Sequence, residues 1–300
     1  MDTGILLESG TNELEILEFI VGQNRYGINV AKIREILQYT KSTPVPNAHP
    51  AIEGIFMPRD EIITSISLSK VLNLPESQRE ETDLHVVTYF NQTNAAFHVH
   101  SVVGIHRVSW ADILKPDATI SSQGNGVATG IIKINGRLII LLDFEKIIAD
   151  ISPATTLKIE DIEAMGARER SNLPILIAED SPLLSHLIQD CLKKAGYSNL
   201  IVNSDGQEAW EKLQKFADEG TVADKVKLVI TDIEMPKMDG HHLTKLIKTN
   251  GKTSFLPVII FSSMISEDMM RKGKSLGADA QITKPEIGTL VGEIDRLILK

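Results

Sequence analysis

LPILIAEDSP, residues 173–182, is a short apolar run that ends in two acids and a proline. Six apolar positions in sequence, followed at once by turn residues, read as a strand buried on both faces. Pro182 sits where a helix begins, because its missing N–H costs little there. Leu184, Leu187, Ile188, Cys191 and Leu192 then share one helical face. The same grammar recurs downstream. KLVITDIEMP (227–236) is a second buried run and breaks at Asp232. PVIIF (257–261) stops at Ser262 and Ser263, and AQIT (280–283) stops at Lys284. A last helix carries Ile287, Leu290, Val291, Ile294, Leu297 and Ile298 on one face. Short apolar runs alternating with amphipathic helices predict an α/β unit with a parallel sheet and crossover helices.

The polar groups all fall at the C-terminal ends of their strands. In an open parallel sheet that edge is where ligands bind. Three carboxylates gathered there would repel one another, and a divalent cation relieves the repulsion. Mg²⁺ suits such a set, because it takes oxygen ligands and keeps several waters. A carboxylate can attack phosphorus and become an aspartyl phosphate, provided the equatorial oxygens are neutralised. Asp232 is assigned as the nucleophile, since it stands alone at the central strand. Glu179 and Asp180 are expected to hold the cation, with the Glu234 backbone carbonyl as a further ligand. Ser262 offers a hydroxyl and Lys284 a positive charge to the phosphoryl group. Taken singly, Asp180 reads as a helix cap and Lys284 as a solvated loop lysine. The ordered set of acid pair, acid, hydroxyl and lysine is far more specific than any member.

Residues 173–300 resemble a response-regulator receiver domain on IAEDSP (177–182), VITDIEMPKMDG (229–240), VIIFSS (258–263) and ITKP (282–285). The resemblance implies a flavodoxin-like fold with a five-stranded parallel sheet. It also implies that Asp232 is the phosphoacceptor, Glu179 and Asp180 the Mg²⁺ acids, Ser262 the switch hydroxyl and Lys284 the invariant lysine. Two positions depart from the family pattern. Gln281 stands where receivers often carry an aromatic switch, and Ser263 where a small alanine is common. The phosphorylation chemistry is expected to survive both, with a conformational readout that runs differently.

The first half has another texture. ILEFIV (16–21), IITSISL (62–68), VVTYF (86–90) and RLIILLDF (137–144) are β-rich runs separated by Gly, Pro and Asn. The half also repeats itself. At an offset of 76, Gly54, Ile55, Ile63, Ile66, Leu68, Lys70 and Val71 match Gly130, Ile131, Ile139, Leu142, Phe144, Lys146 and Ile147. At an offset of 69, Leu17, Ile28, Val30, Ile33 and Ile36 match Val86, Phe97, Val99, Val102 and Ile105. Two copies of one β unit predict two packed small barrels, since a solenoid needs more repeats and closure removes exposed edges. His49, His85, His98, His100 and His106 show no metal-ligand spacing. His98 and His100 share a strand face without an evident acid or cysteine partner, so no metal site is expected there.

Residues 19–72, 102–108 (VVGIHRV) and 130–148 (GIIKINGRLIILLDFEKII) resemble the CheW family of chemotaxis coupling domains. That resemblance implies two intertwined five-stranded SH3-like barrels. It also implies binding to the histidine kinase CheA and to methyl-accepting chemoreceptors. The family's Leu-Arg-Gly loop reads Pro58-Arg59-Asp60 here, and Arg59 is expected to touch a partner. Ile28, Val30 and Ile33 are expected in the core. A coupling domain (1–155), a polar linker (156–172) and a receiver (173–300), in that order, resemble the CheV type of chemotaxis coupling protein. Its members are adaptors regulated by a phosphorelay, not enzymes.

Composition agrees. The 300 residues suit two domains, with 42% hydrophobic and 24% charged residues. The net charge is −9, and no segment is basic, which disfavours nucleic acid. One cysteine, Cys191, suits a reducing cytoplasm. No apolar run approaches the ~18 residues of a membrane span, and the N-terminus lacks a signal-peptide pattern. The expected place is the cytoplasm, recruited to membrane receptor arrays. A haloacid-dehalogenase-type phosphatase would need an Asp-x-Asp pair on an early strand, and Asp232-Ile-Glu234 lies on the third. A DNA-binding regulator would need a basic effector beyond the receiver, and none is expected.

Overall fold

In a computed structural model of the chain, residues 12–77, 80–90, 93–114, 126–152, 162, 170–263 and 267–299 are described. Two compact units result. Leu14–Val108 and Ile113–Thr155 form one; Thr156–Lys300 form the other, with which Ser109–Asp112 also group. The stretch expected as a linker, 156–172, falls mostly outside the described residues. Ile162, within it, is buried in the core of the second unit.

The first unit shows ten strands among its described residues. They are β1 (Glu13–Val21), β2 (Asn24–Asn29), β3 (Ile33–Gln38), β4 (Ile52–Phe56), β5 (Ile63–Ser67), β6 (Leu84–Phe90), β7 (Thr93–Val99), β8 (Ser101–Ser109), β9 (Ala128–Ile134) and β10 (Arg137–Leu142). Helix α1 (Leu68–Val71) follows β5, and α2 (Phe144–Ile151) follows β10. The repeat maps β1–β5 and α1 onto β6–β10 and α2. The sheet orders are β8-β1-β2-β10-β9 and β3-β6-β7-β5-β4. Under the mapping one order becomes the other, so each copy contributes strands to both sheets and the two are intertwined.

Each sheet closes into a barrel through a short antiparallel bridge between its edges. Thr43, just after β3, pairs with Ile55 of β4, and Leu114, after β8, pairs with Ile131 of β9. Closure depends on the matched glycines. A Cβ on Gly54 (φ +150°) would lie 2.2 Å from the Thr43 carbonyl oxygen, and one on Gly130 would lie 2.4 Å from Ile113. The core is shared between the copies. Leu17 and Val86, Ile28 and Phe97, and Leu68 and Phe144 are equivalent pairs buried in one cluster, with Val30 and Ile33 packed at its margin. Phe97 meets Phe144 edge-on at 4.6 Å. Each such ring contributes roughly 1.5–3 kcal/mol by burial.

The second unit is the doubly wound sheet. Its elements are β11 (Ile175–Ala178), α3 (Pro182–Lys194), β12 (Leu200–Asn203), α4 (Gly206–Asp218), α5 (Val222–Lys225), β13 (Leu228–Thr231), α6 (Gly240–Thr249), β14 (Val258–Ser262), α7 (Glu267–Ser275), β15 (Ala280–Thr283) and α8 (Ile287–Ile298). The parallel order is β12-β11-β13-β14-β15, so β13 is central, as expected for Asp232. Alternate strand residues feed opposite faces. Ile175, Ile177, Leu228 and Ile230 pack with Ile188, Leu192, Leu290 and Ile294. Leu176, Val229 and Val258 pack with Leu213, Leu243 and Ile247 on the other face. Ser181, Asp205 and Asp239 cap α3, α4 and α6 through their side-chain oxygens. The order in which strands are added reverses between β11 and β13, and that crevice is where such folds place their ligands.

Candidate functional site

Strand register brings the polar ends together. Ala178 of β11 lies opposite Thr231 of β13, so the next residues, Glu179 and Asp232, emerge side by side. Ile260 of β14 also lies opposite Thr231, which sets Ser262 just beyond the level of Asp232. Ser262 in turn pairs with Thr283 of β15, so Lys284 follows at the same rim. The Lys284 Nζ donates to Glu179 Oε2 at 2.8 Å and to Asp232 Oδ2 at 3.0 Å. Glu179, Asp232 and Lys284 are almost wholly buried, at 3%, 4% and 1% exposure. Asp180 completes a trio of carboxylates whose oxygens lie within 4.8 Å of one another, and it remains half-exposed. One buried ammonium among three acids leaves excess negative charge. An all-oxygen trio with one partly exposed member fits a small hard cation. The Ile233 N–H donates to Asp232 Oδ1 at 2.6 Å, which orients the carboxylate. Gly240 permits the approach of α6, because a Cβ there would fall 1.8 Å from the Asp232 carbonyl oxygen. Ser262 and Ser263 are buried at the end of β14, and Glu234 lies half-buried in the loop after β13.

Comparison with known proteins matches both halves. A model of the CheW-like domain covers residues 15–152, and one of the response regulator receiver domain covers 175–295. Over its length the chain is 30% identical to the chemotaxis protein CheV3 of Helicobacter pylori, covering 96% of each. The chain belongs to the CheV family of chemotaxis proteins. It is also 27% identical to CheV1 of that organism, over 91% of this chain and 89% of CheV1. With CheV2 it shares 29% over 92% of each. This CheV chain is therefore a chemotaxis adaptor that joins a CheW-like domain to a receiver.

Other side chains of this CheV chain were less visible in its sequence. The Gln281 amide donates to the Met270 carbonyl of α7 at 2.7 Å. The amide sits over Gly273, where a Cβ would meet Gln281 Oε1 at 2.2 Å. A polar tie thus joins β15 to α7. In the CheW-like unit, Arg59 and Asp60 both adopt left-handed backbone, at φ 54° and 68°. Asp60 suits this backbone, since after glycine the short polar residues tolerate the region best. The Arg59 side chain is 76% exposed and pairs with Glu35 at 2.9 Å.

The expectation that His98 lacks acid partners is corrected. Its Nδ1 meets Glu53 Oε1 at 2.7 Å and its Nε2 meets Asp83 Oδ2 at 2.9 Å. Carboxylates only accept, so both ring nitrogens donate and the ring is an imidazolium. Tyr39 stacks on it at 4.0 Å. The partners come from β4 and from the turn before β6, and no spacing in the sequence announces them. Ser65 Oγ donates to Glu53 Oε2 at 2.6 Å and accepts from His85 Nε2 at 3.0 Å. His85 Nδ1 is buried without a hydrogen-bond partner, so this second ring is neutral. Burial pushes the His85 pKa down to about 4, with the His98 charge adding to the effect.

A pH dependence follows from the two rings. Burial opposes the charge on His98, but the hydrogen bonds and charges of Glu53 and Asp83 outweigh it and raise its pKa. Burial likewise works to raise Glu53, and its bonds from His98 and Ser65 carry it below the usual range. A raised histidine stabilises fully below its unfolded value of about 6.5 and loses that contribution as pH rises through the folded value. His98→Gln is expected to destabilise the CheW-like unit by about 2 kcal/mol near pH 6. The difference from the native chain narrows as pH rises. Urea unfolding at a series of pH values checks this, and a gap that widens with pH refutes it. Below about pH 6.5 the contribution of neutral His85 fades in both proteins, while that of Glu53 belongs to the native chain and fades only as pH falls from the ordinary carboxylate range through its depressed folded value.

Proposed function

We propose that this adaptor couples chemoreceptors to the histidine kinase CheA through its CheW-like half, and that phosphorylation of Asp232 regulates the coupling. Residues 1–155 serve as the coupling domain, 156–172 as a linker and 173–300 as the receiver. The observation that carries the reading is Lys284 bonded at once to Glu179 and Asp232, within a trio of close carboxylates at the ligand-binding edge.

Glu179, Asp180, Asp232 and the Glu234 carbonyl would hold Mg²⁺, which would neutralise phosphoryl oxygens and lower the barrier to their approach. An Asp232 carboxylate oxygen attacks the phosphorus of a kinase phosphohistidine. A P–O bond forms, the P–N bond breaks with its electrons going to the imidazole, and that ring takes a proton from solvent. The buried Lys284 ammonium turns from Asp232 to an equatorial oxygen, and the Ser262 hydroxyl donates to another. The added charge of about −1.5 to −2 then biases the receiver between two states. The chain is a phosphoryl acceptor, and slow loss of the group to water resets it. Among the described residues no helix is long and apolar enough to cross a membrane. The protein works in the cytoplasm and reaches the membrane through receptor arrays, without nucleic acid or direct membrane insertion.

Transfer of label from a phosphorylated chemotaxis kinase, with and without Mg²⁺, tests the receiver. Arg59 tests the coupling half. Its exposure and left-handed backbone mark a strained loop held out to solvent. Arg59→Ala is expected to weaken capture of kinase or receptor fragments roughly fivefold or more, about 1 kcal/mol. Calorimetry on the full chain measures it, and native affinity in the variant removes Arg59 from the interface.

A further inference from the structure

Beyond the acids themselves, something must keep the Asp232 loop at a fixed distance from the Glu179–Asp180 strand end. Pairing of β11 with β13 sets only the strands. The residues that follow each strand are loops, and loops need their own restraint. The short segment Asn203–Gly206, between β12 and α4, touches both sides. On one side the Glu179 N–H donates to the Asn203 carbonyl at 3.1 Å. The Asn203 side chain also donates to the Ile177 carbonyl at 3.1 Å. On the other side the segment grips the loop after Asp232. A Cβ on Gly206 would fall 2.5 Å from the Met238 carbonyl oxygen, so the two backbones are in close contact.

The polar part of this clamp is an ion pair. Asp205 has no exposed side-chain surface. Its Oδ1 accepts from the Glu208 N–H at 2.8 Å, capping α4, and its Oδ2 accepts from Lys237 Nζ at 2.9 Å. A carboxylate so deeply buried requires a cation partner. Lys237 reaches it from a left-handed backbone, φ 65°, a conformation that costs energy in a residue with a Cβ. The strained loop is thereby tied to the segment that also holds the Glu179 backbone. Met235 and Met238 seal the loop's apolar side against Trp210 of α4.

We propose that Lys237 is a positioning residue for the cation site. Its pair with Asp205 fixes the separation between the Asp232 loop and the Glu179–Asp180 strand end, and so sets Mg²⁺ affinity. The inference rests on the reading of the acid trio as a Mg²⁺ site. Lys237 touches neither the phosphoryl group nor the cation. Partners that hold a metal ligand directly are worth about 10–100-fold in affinity, and Lys237 acts one layer farther out, so about three- to tenfold is expected.

Calorimetric titration of the full chain with MgCl₂ tests it. Lys237→Met should raise the Mg²⁺ dissociation constant about three- to tenfold. Lys237→Arg, which restores a cation of similar reach, should return it to within about twofold of native. Because Lys237→Met takes the lysine cation from a buried carboxylate, the double variant Asp205→Asn/Lys237→Met is titrated as well. It removes both charges of the pair, lacks the tie, and should bind Mg²⁺ as weakly as the single variant. Native affinity in Lys237→Met or in the double variant overturns the proposal, as does an arginine variant that stays weak. A native chain that takes up no Mg²⁺ overturns the cation reading itself, a result distinct from native uptake that is indifferent to Lys237.

Discussion

Asp232→Asn leaves the chain unlabelled when it is incubated with a phosphorylated chemotaxis kinase and Mg²⁺, while the native chain takes up label in proportion to its own amount. The expected loss is about 100-fold or more, because the substitution removes the attacking oxygen's charge and not just a contact. Asparagine keeps the shape and retains an oxygen to accept from the Ile233 N–H, the bond that orients the native carboxylate. It thus separates chemistry from folding. Glu179 is turned toward Lys284 and the Ser181 N–H, so it is not set to replace Asp232. Label retained by the asparagine variant would reject the assignment. Label that turns over many times on a small phosphate ester would indicate a phosphatase.

Lys284→Met is expected to destabilise the Mg²⁺-free receiver unit by about 3 kcal/mol, the scale on which breaking a buried ion pair registers. The ammonium is 2% exposed at its side chain and bonds two carboxylates that are themselves buried. Its removal takes from Glu179 and Asp232 the ammonium that bonds them both, beside a third carboxylate in Asp180. Added Mg²⁺ should restore much of the loss by supplying the missing positive charge. Urea unfolding with and without Mg²⁺ measures it. A variant of native stability, or one that Mg²⁺ does not rescue, would show that the lysine is not the counter-charge of the trio.

The receiver was legible in the sequence because a parallel sheet makes a strong geometric promise. Its strands all end at one edge, so residues that close successive apolar runs meet in space even when far apart in the chain. That is why Glu179, Asp180, Asp232, Ser262 and Lys284 could be named together. The repeat of the first half was legible for a related reason. Positions such as Ile28 and Phe97, or Leu68 and Phe144, must be apolar in both copies because both fill one core. Gly54 and Gly130 matched because the same bridge crosses close to each.

The exchange of strands between the copies was not legible from those patterns alone. β3 has the same alternation whether it pairs within its own copy or with β6 of the other, and only the closed barrels select the partner. The ties of His98 to Glu53 and Asp83, of Lys237 to Asp205 and of Gln281 to α7 were hidden for a different reason. A polar side chain on a strand or loop looks solvated in sequence, since hydrophobic periodicity reports which face is buried but not which charges meet there. From its residues alone the chain determined its strands, its helices and the edge where the acids gather, because these follow from local spacing and burial. Tertiary packing alone decided which distant polar groups lose their water, and a buried charge must then find its partner across the fold.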